Sequence, residues 1–318
     1  VALTGMVLRC SKNSFLVESD EGERVICEIK GKILKASQGF YNPLAPGDRV
    51  VFEVTSPDGR GRILELLPRS TVFTRFNQKG EAPQVIAANI DLLCCLTTAE
   101  EPPFRPRFID RVLVQAEIAH VPAAIILNKT DQEVRDQGAL LDMEERLSDF
   151  VRIGYPVFRV SALSGAGLEE LTRHWQGKRV LLVGQSGVGK SSLINALGAS
   201  PPLKVGALST KYQRGSHTTT MAQMILCTYG GHSFWVLDTP GIRRLTIDGI
   251  TSREVALYFK EFAPLVGQCS YGLSCSHRFE VGCKILEALD AGYIHEDRYE
   301  SFQSIVQELT ERSSYENL

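Results

Sequence analysis

The 318-residue chain lacks any apolar run of the roughly 18 to 20 residues that a membrane-spanning helix needs. Its richest stretch, AAIILNKT at 123–130, is broken by Asn128 and Lys129, which excludes a helical membrane span. A basic head followed by an apolar core is also missing at the start, which reads as a pair of strands and not as a signal peptide. Charge of one sign is not in excess: 35 Lys and Arg against 37 Asp and Glu leave a formal net charge of −2, so any contact with nucleic acid has to be local. There is no internal repeat and no low-complexity segment. Eight cysteines in so long a chain are not a disulfide framework, and Cys10, Cys27, Cys94, Cys95 and Cys227 stand in strand-like apolar contexts that suit reduced, buried thiols.

What is present suits a multidomain protein of two or three parts. Residues 1–72 alternate apolar and polar side chains in short runs (GMVLRC, SFLVES, RVICEIKG, DRVVFEV, GRILEL) between Asp-Gly and Pro-Gly turns. A period of two with such turns predicts a small antiparallel β-barrel, and about five strands match an OB-fold. Lys30, Lys32 and Lys35 crowd one stretch and Arg60 and Arg62 flank a turn, which fits either a solvated face or an RNA-facing patch. Residues 73–84, punctuated by Arg, Gly and Pro, read as a linker. From 85 to 248 apolar strands alternate with helical spacing: VIAANIDLLCCLTTA is one continuous run, FIDRVLVQAEIAH is helical, and VPAAIILNK, YPVFRVSAL, KRVLLVG and HSFWVLD are strands. Such alternation predicts an α/β domain, a parallel sheet with helices on both faces. Residues 249–318 read as mostly helical, with Phe302, Ile305, Val306 and Leu309 on one face of a last helix.

GQSGVGKS at 184–191 follows the strand RVLLV and opens a helix, the setting of a phosphate loop. Gly184, Gly187 and Gly189 let the backbone curl so that the N–H groups of Gln185, Ser186, Val188 and the residues through Ser192 turn toward one anion. Lys190 is placed for the β- and γ-phosphates and the Ser191 hydroxyl for Mg²⁺. The base comes from NKTD at 128–131, because the Asp131 carboxylate can accept from N1–H and the exocyclic amine of guanine, a donor pair adenine lacks. Asn128 can bond the other base edge and tie this loop to the phosphate loop, and the stem of Lys129 can cover the ring. Ser161 and Ala162 in SAL, after another strand, resemble the third base-contacting element, with the N–H near Ala162 meeting guanine O6. In DTPG, Asp238 can hold Mg²⁺ through water and the Gly241 N–H can sense the γ-phosphate. The polar stretch STKYQRGSHTTT has few apolar anchors and suits a switch segment, in which Thr219, in preference to Thr218, completes the magnesium shell.

The chain order is NKTD, SAL, GQSGVGKS, HTT, DTPG, whereas GTP-binding domains usually begin with the phosphate loop. A circular permutation gives this order, and it runs DTPG directly into the tail, where nucleotide state is expected to be felt. Ile242 stands where many GTPases carry the Gln that orients water. His217 can position that water, or it can merely pack or cap the loop. Cys269, Cys275, His277 and Cys283, spaced C-x5-C-x-H-x5-C, form a complete tetrahedral set for one structural Zn²⁺ with no open position, unless three reduced cysteines lie together by accident.

NKTD, GQSGVGKS, GSHTTT, DTPG and CSYGLSCSHRFEVGC, in this order behind a barrel, resemble the ribosome small subunit-dependent GTPase A family of circularly permuted bacterial and organellar GTPases over nearly the whole chain. The resemblance implies slow GTP hydrolysis to GDP, stimulated by the 30S subunit during its late maturation. It implies a barrel and a zinc domain that contact 16S rRNA, with His217 as the catalytic histidine. One departure is the five-residue gap after Cys269, where the family pattern has four. The expectation is a cytoplasmic, monomeric GTPase without a membrane partner, using GTP, Mg²⁺ and Zn²⁺. The alternatives are a GTP-gated binding switch with little catalysis of its own, and a metabolic GTPase without an RNA partner.

Overall fold

The computed structural model describes residues 2–11, 13–29, 39–55, 59–77, 81–203, 222–238 and 247–316. Lys30, Lys32, Lys35, His217, Thr218, Thr219, Gly241 and Ile242 lie outside the described residues.

Strands β1 (Ala2–Cys10), β2 (Phe15–Ser19), β3 (Arg24–Ile29), β4 (Arg49–Val54) and β5 (Arg60–Leu66) close in the order β1-β2-β3-β5-β4, with β4 returning to β1. Only the β3–β5 pairing is parallel among these. Alternate side chains turn inward, so Phe15, Val17, Val25, Cys27, Val50, Phe52 and Ile63 fill the barrel. This is the expected OB-fold.

Most of the stretch read as a linker is instead an antiparallel hairpin of β6 (Val72–Asn77) and β7 (Ala82–Ala88). The apolar run that continues from it is likewise two strands. β7 ends at Ala88, Asn89 takes a left-handed φ of 54°, and β8 (Leu92–Thr97) starts in a different sheet. The buried Asn89 side chain accepts from Ser70 N at 2.8 Å and donates to Gly47 O at 2.9 Å, which pins the break to the barrel. Long-range hydrogen bonds of this kind leave no mark on hydrophobic periodicity.

The central domain continues with α1 (Pro106–Ile118), β9 (Ala123–Leu127), α2 (Gln137–Ile153), β10 (Val157–Arg159), α3 (Leu168–Trp175), β11 (Arg179–Gly184), α4 (Lys190–Ala196), β12 (Gln223–Tyr229) and β13 (His232–Asp238). Its strands lie in the order β10-β9-β8-β11-β13-β12, parallel except for β12. All residues of β8 and β9 are buried, because helices cover both faces. Leu93 and Cys95 of β8 face α1 and α2 through Ile109, Leu113, Leu147 and Phe150, whereas Leu92, Cys94 and Leu96 face Leu171, Trp175, Leu193 and Ile194 on α3 and α4.

The barrel is joined to this sheet through β1, which pairs with β12 at Arg9 and Gln223. Successive side chains of β1 point to opposite faces, so Val7 enters the barrel core while Met6 and Leu8 enter the core of the central domain.

The C-terminal part holds three short 3-10 helices, at Val255–Tyr258, Ala263–Leu265 and Gly272–Ser274, then α5 (Lys284–Asp290) and α6 (Glu296–Glu316). Phe302, Ile305, Val306 and Leu309 of α6 are buried, as their spacing predicts, and Val114 of α1 joins their core. Across this contact Arg298 donates to Asp110 of α1 at 2.9 Å and forks onto Glu261 at 2.7 and 2.9 Å. Arg107–Glu300 and Arg111–Glu308 pairs flank it. Cys27, Cys94, Cys95 and Cys227 are buried thiols and Cys10 is half-buried. Burial pushes the Cys27 thiol up to about 11 and that of Cys227 up to about 12. No helix among the described residues is long and apolar enough to cross a membrane.

Candidate functional site

The described nucleotide motifs gather at the C-terminal ends of neighbouring strands. NKTD follows β9, SAL follows β10, the phosphate loop follows β11, and Asp238 ends β13. Between β8 and β11 the connections leave toward opposite sides of the sheet, the usual place for a ligand crevice.

Two glycines of the phosphate loop are imposed by their surroundings. A Cβ on Gly184 would sit 2.6 Å from Leu96 O, and one on Gly189, at φ 91°, would sit 2.6 Å from Asn128 Nδ2. Asn128 is 2% exposed and donates from Nδ2 to Val188 O at 2.9 Å, while its Oδ1 accepts from Ala162 N at 3.2 Å. One side chain thus ties NKTD, SAL and the phosphate loop together. Both amide atoms are engaged within the protein.

The Asp131 carboxylate is fixed by the Ser161 hydroxyl, which also accepts from Leu163 N and Ser164 N at 3.2 and 2.9 Å. Lys129 has a left-handed φ of 64° and donates from Nζ to Glu101 O at 2.7 Å. Sequence reasoning missed this turn after β8, whose residues carry no nucleotide motif; only its place between two motif loops reveals it.

Lys190 begins α4 and folds over the loop, donating to Gly184 O at 2.6 Å and Gln185 O at 3.0 Å. Burial lowers its pKa, against the pull of Asp238. Burial likewise raises the pKa of Asp238, against the pull of Lys190. Asp238 Oδ1 is buried without a hydrogen-bond partner among the described residues, so it has a lone pair to offer to a magnesium-bound water. Ser191 and Ser192 are half-buried at the head of α4, Ser186 and Gly187 are exposed and Val188 is buried.

A second site lies in the C-terminal part. Cys269 Sγ, Cys275 Sγ, His277 Nδ1 and Cys283 Sγ are buried and their ligand atoms lie within 4.8 Å of one another. Cys269 Sγ is 3.6 Å from His277 Nδ1 and 3.9 Å from Cys283 Sγ, and His277 Nδ1 is 3.4 Å from Cys283 Sγ. A tetrahedral ion with thiolate bonds of about 2.3 Å has sulfur–sulfur edges of about 3.8 Å, so the donor set fits one. The 3-10 turn Gly272–Ser274 lies between Cys269 and Cys275. Tyr299 Oη donates to His277 O at 2.8 Å, anchoring the ligand loop to α6.

A phosphate loop and an NKTD loop on one sheet, met in reversed chain order, make this a circularly permuted P-loop GTPase fold, with an OB barrel before it and a Cys/His cluster after it. The family model described as RsgA GTPase matches residues 66–248, and the chain belongs to that family. It is 35% identical over 310 residues to the small ribosomal subunit biogenesis GTPase RsgA of Phocaeicola vulgatus, covering 97% of this chain and 98% of that one. It is 36% identical over 317 residues to the protein of the same name from Chlorobaculum parvum, covering 97% and 99%. The crystal structure of YjeQ from Thermotoga maritima superposes with a TM-score of 0.76 at 33% identity, covering 98% and 99%. YloQ, described as a circularly permuted GTPase, shares the fold with a TM-score of 0.71 at 22% identity over 98% of this chain and 96% of that one.

Proposed function

We propose that this GTPase acts in late maturation of the small ribosomal subunit, binding the 30S particle with GTP and leaving after hydrolysis. The observation that carries the nucleotide reading is Asn128, whose single amide joins the base loops to the phosphate loop. The N–H groups from Gln185 to Ser192 and the Lys190 ammonium hold the phosphates, and Asp131 accepts from the guanine edge. Ser191, Thr219 or its neighbour Thr218, and Asp238 through water are the magnesium partners, and Gly241 faces the γ-phosphate. A bound magnesium ion neutralises charge on the transferring phosphoryl group. His217 orients the attacking water, the role left open by Ile242.

Cys269, Cys275, His277 and Cys283 hold one structural zinc ion, since four protein donors leave no position for substrate. The barrel and the zinc loop provide local contacts to 16S rRNA, and several such contacts suffice for a chain with little net charge. The protein works as a monomer in the cytoplasm, where GTP and ribosomal subunits are found. Coupling of nucleotide state to the tail is supported by α6, where Arg312 donates to Ile247 O at 3.0 Å and to Asp248 at 2.7 Å, a few residues beyond DTPG.

The test is the GTP hydrolysis rate alone and with 30S subunits, 50S subunits or free RNA added separately. A large rise specific to 30S is expected, and His217→Ala should keep GTP affinity within about twofold while lowering stimulated turnover by about 100-fold or more. No rise with any addition, while GTP still controls 30S binding, would favour a binding switch.

A further inference from the structure

We propose that Thr98 is a positioning residue for guanine-nucleotide binding: it braces the turn at 99–105 so that the Glu101 carbonyl holds Lys129 of the NKTD loop. The inference rests on the reading of residues 128–131 as the base-binding loop.

Thr98 directly follows β8 and is 1% exposed. Its hydroxyl donates to Pro102 O at 2.6 Å, and Phe104 N donates to Ala99 O at 3.0 Å. These two bonds close the turn and leave the Glu101 carbonyl facing outward, where Lys129 Nζ donates to it at 2.7 Å. The turn also stands beside the phosphate loop, with Pro102 Cδ 3.7 Å from where a Gly187 side chain would begin. At its base Thr97 O accepts from Asn128 N at 2.9 Å, so the strand that carries the turn also carries the start of NKTD. A turn closed by its own hydrogen bonds is thereby wedged between two nucleotide loops.

A lysine with four rotatable stem bonds loses much conformational freedom when it lies over a base. An acceptor that holds its ammonium in place reduces that loss on binding. The Glu101 carbonyl supplies the acceptor, and a main-chain acceptor can be aimed only by fixing the turn that carries it. Thr98 does this from its buried position just after β8. Thr98→Val keeps the shape and removes the hydroxyl, which leaves the Pro102 carbonyl unbonded.

The experiment measures the affinity and dissociation rate of a fluorescent GDP analogue with the full-length protein, its Thr98→Val, Thr98→Ser and Lys129→Ala variants, and the Thr98→Val/Lys129→Ala double variant. Thr98→Val should weaken binding about 5- to 10-fold, the effect of one net hydrogen bond, and Thr98→Ser should restore it. In the Lys129→Ala background Thr98→Val should have no further effect. Equal losses in both backgrounds would show that Thr98 supports the fold without acting through Lys129. Tighter binding by Thr98→Val would overturn the proposal in the other direction, making the Glu101 contact a lock that nucleotide must break. Should Thr98→Val fail to fold, Pro102→Ala loosens the same turn from its half-buried side and must give the same non-additive cycle with Lys129→Ala. A Lys129→Ala variant with unchanged affinity would sink the base-loop reading along with the proposal, whereas additive losses sink the proposal alone.

Discussion

Arg298→Met should destabilise the contact between α1 and α6 by about 3–5 kcal/mol, the usual consequence of leaving a buried charge without its partner. Arg298 and Asp110 are both fully buried, and the guanidinium makes three charge-assisted hydrogen bonds, one to Asp110 and two to Glu261. It also lies 4.5 Å over the Phe259 ring. Methionine preserves much of the packing but leaves two carboxylates facing it. Burial is the largest influence on the Asp110 carboxyl and pushes its pKa up, against Arg298 and Arg146. Because the folded-state pKa lies above the ordinary value, keeping Asp110 charged costs stability as the pH rises through it. Without Arg298 that cost grows, so the deficit of the variant should be largest near about pH 8 and shrink toward about pH 5. Urea denaturation followed by far-ultraviolet circular dichroism at several pH values measures this. Tryptophan fluorescence would not serve, since Trp175 and Trp235 both lie in the central domain. Arg298→Lys, which keeps a charge but not the fork, should fall between. A loss below about 1 kcal/mol that does not change with pH would refute the view that this network welds the two parts together.

Cys269→Ser should reduce bound zinc from about one ion per chain to a small fraction of that, read by elemental analysis of the purified protein, and should lower the melting temperature. Full metal content in that variant would remove Cys269 from the ligand set. Gly189→Ala adds a methyl group 2.6 Å from Asn128 Nδ2 at a φ of 91°, so GTP affinity by calorimetry should fall at least about 10-fold, with about 1–3 kcal/mol lost from stability. Unchanged affinity would mean that Asn128 does not have to stay where it is for the phosphate loop to work.

The barrel strands were legible because each has one face in the core and one in solvent, which writes a period of two into the sequence. The α6 face was legible for the corresponding helical reason, through Phe302, Ile305, Val306 and Leu309. The phosphate loop was legible because Gly187 and Gly189 sit at φ 88° and 91°, a backbone conformation that other side chains rarely adopt, and a residue identity forced by local geometry is visible without a partner. The break at Asn89 that ends the hairpin was not, since it depends on bonds to Ser70 and Gly47, 19 and 42 residues away in the chain.

By itself the sequence determined the three-part architecture, the reversed order of the nucleotide motifs and the chemistry of the four metal donors, all of which follow from local patterns and residue types. Only the tertiary structure decided that β1 serves two cores, that Arg298 finds Asp110 across 188 residues, and that the turn at Glu101 reaches Lys129. Those contacts join polar or apolar groups far apart in the chain, and a polar side chain gives no sign of its partner until the fold has brought the two together.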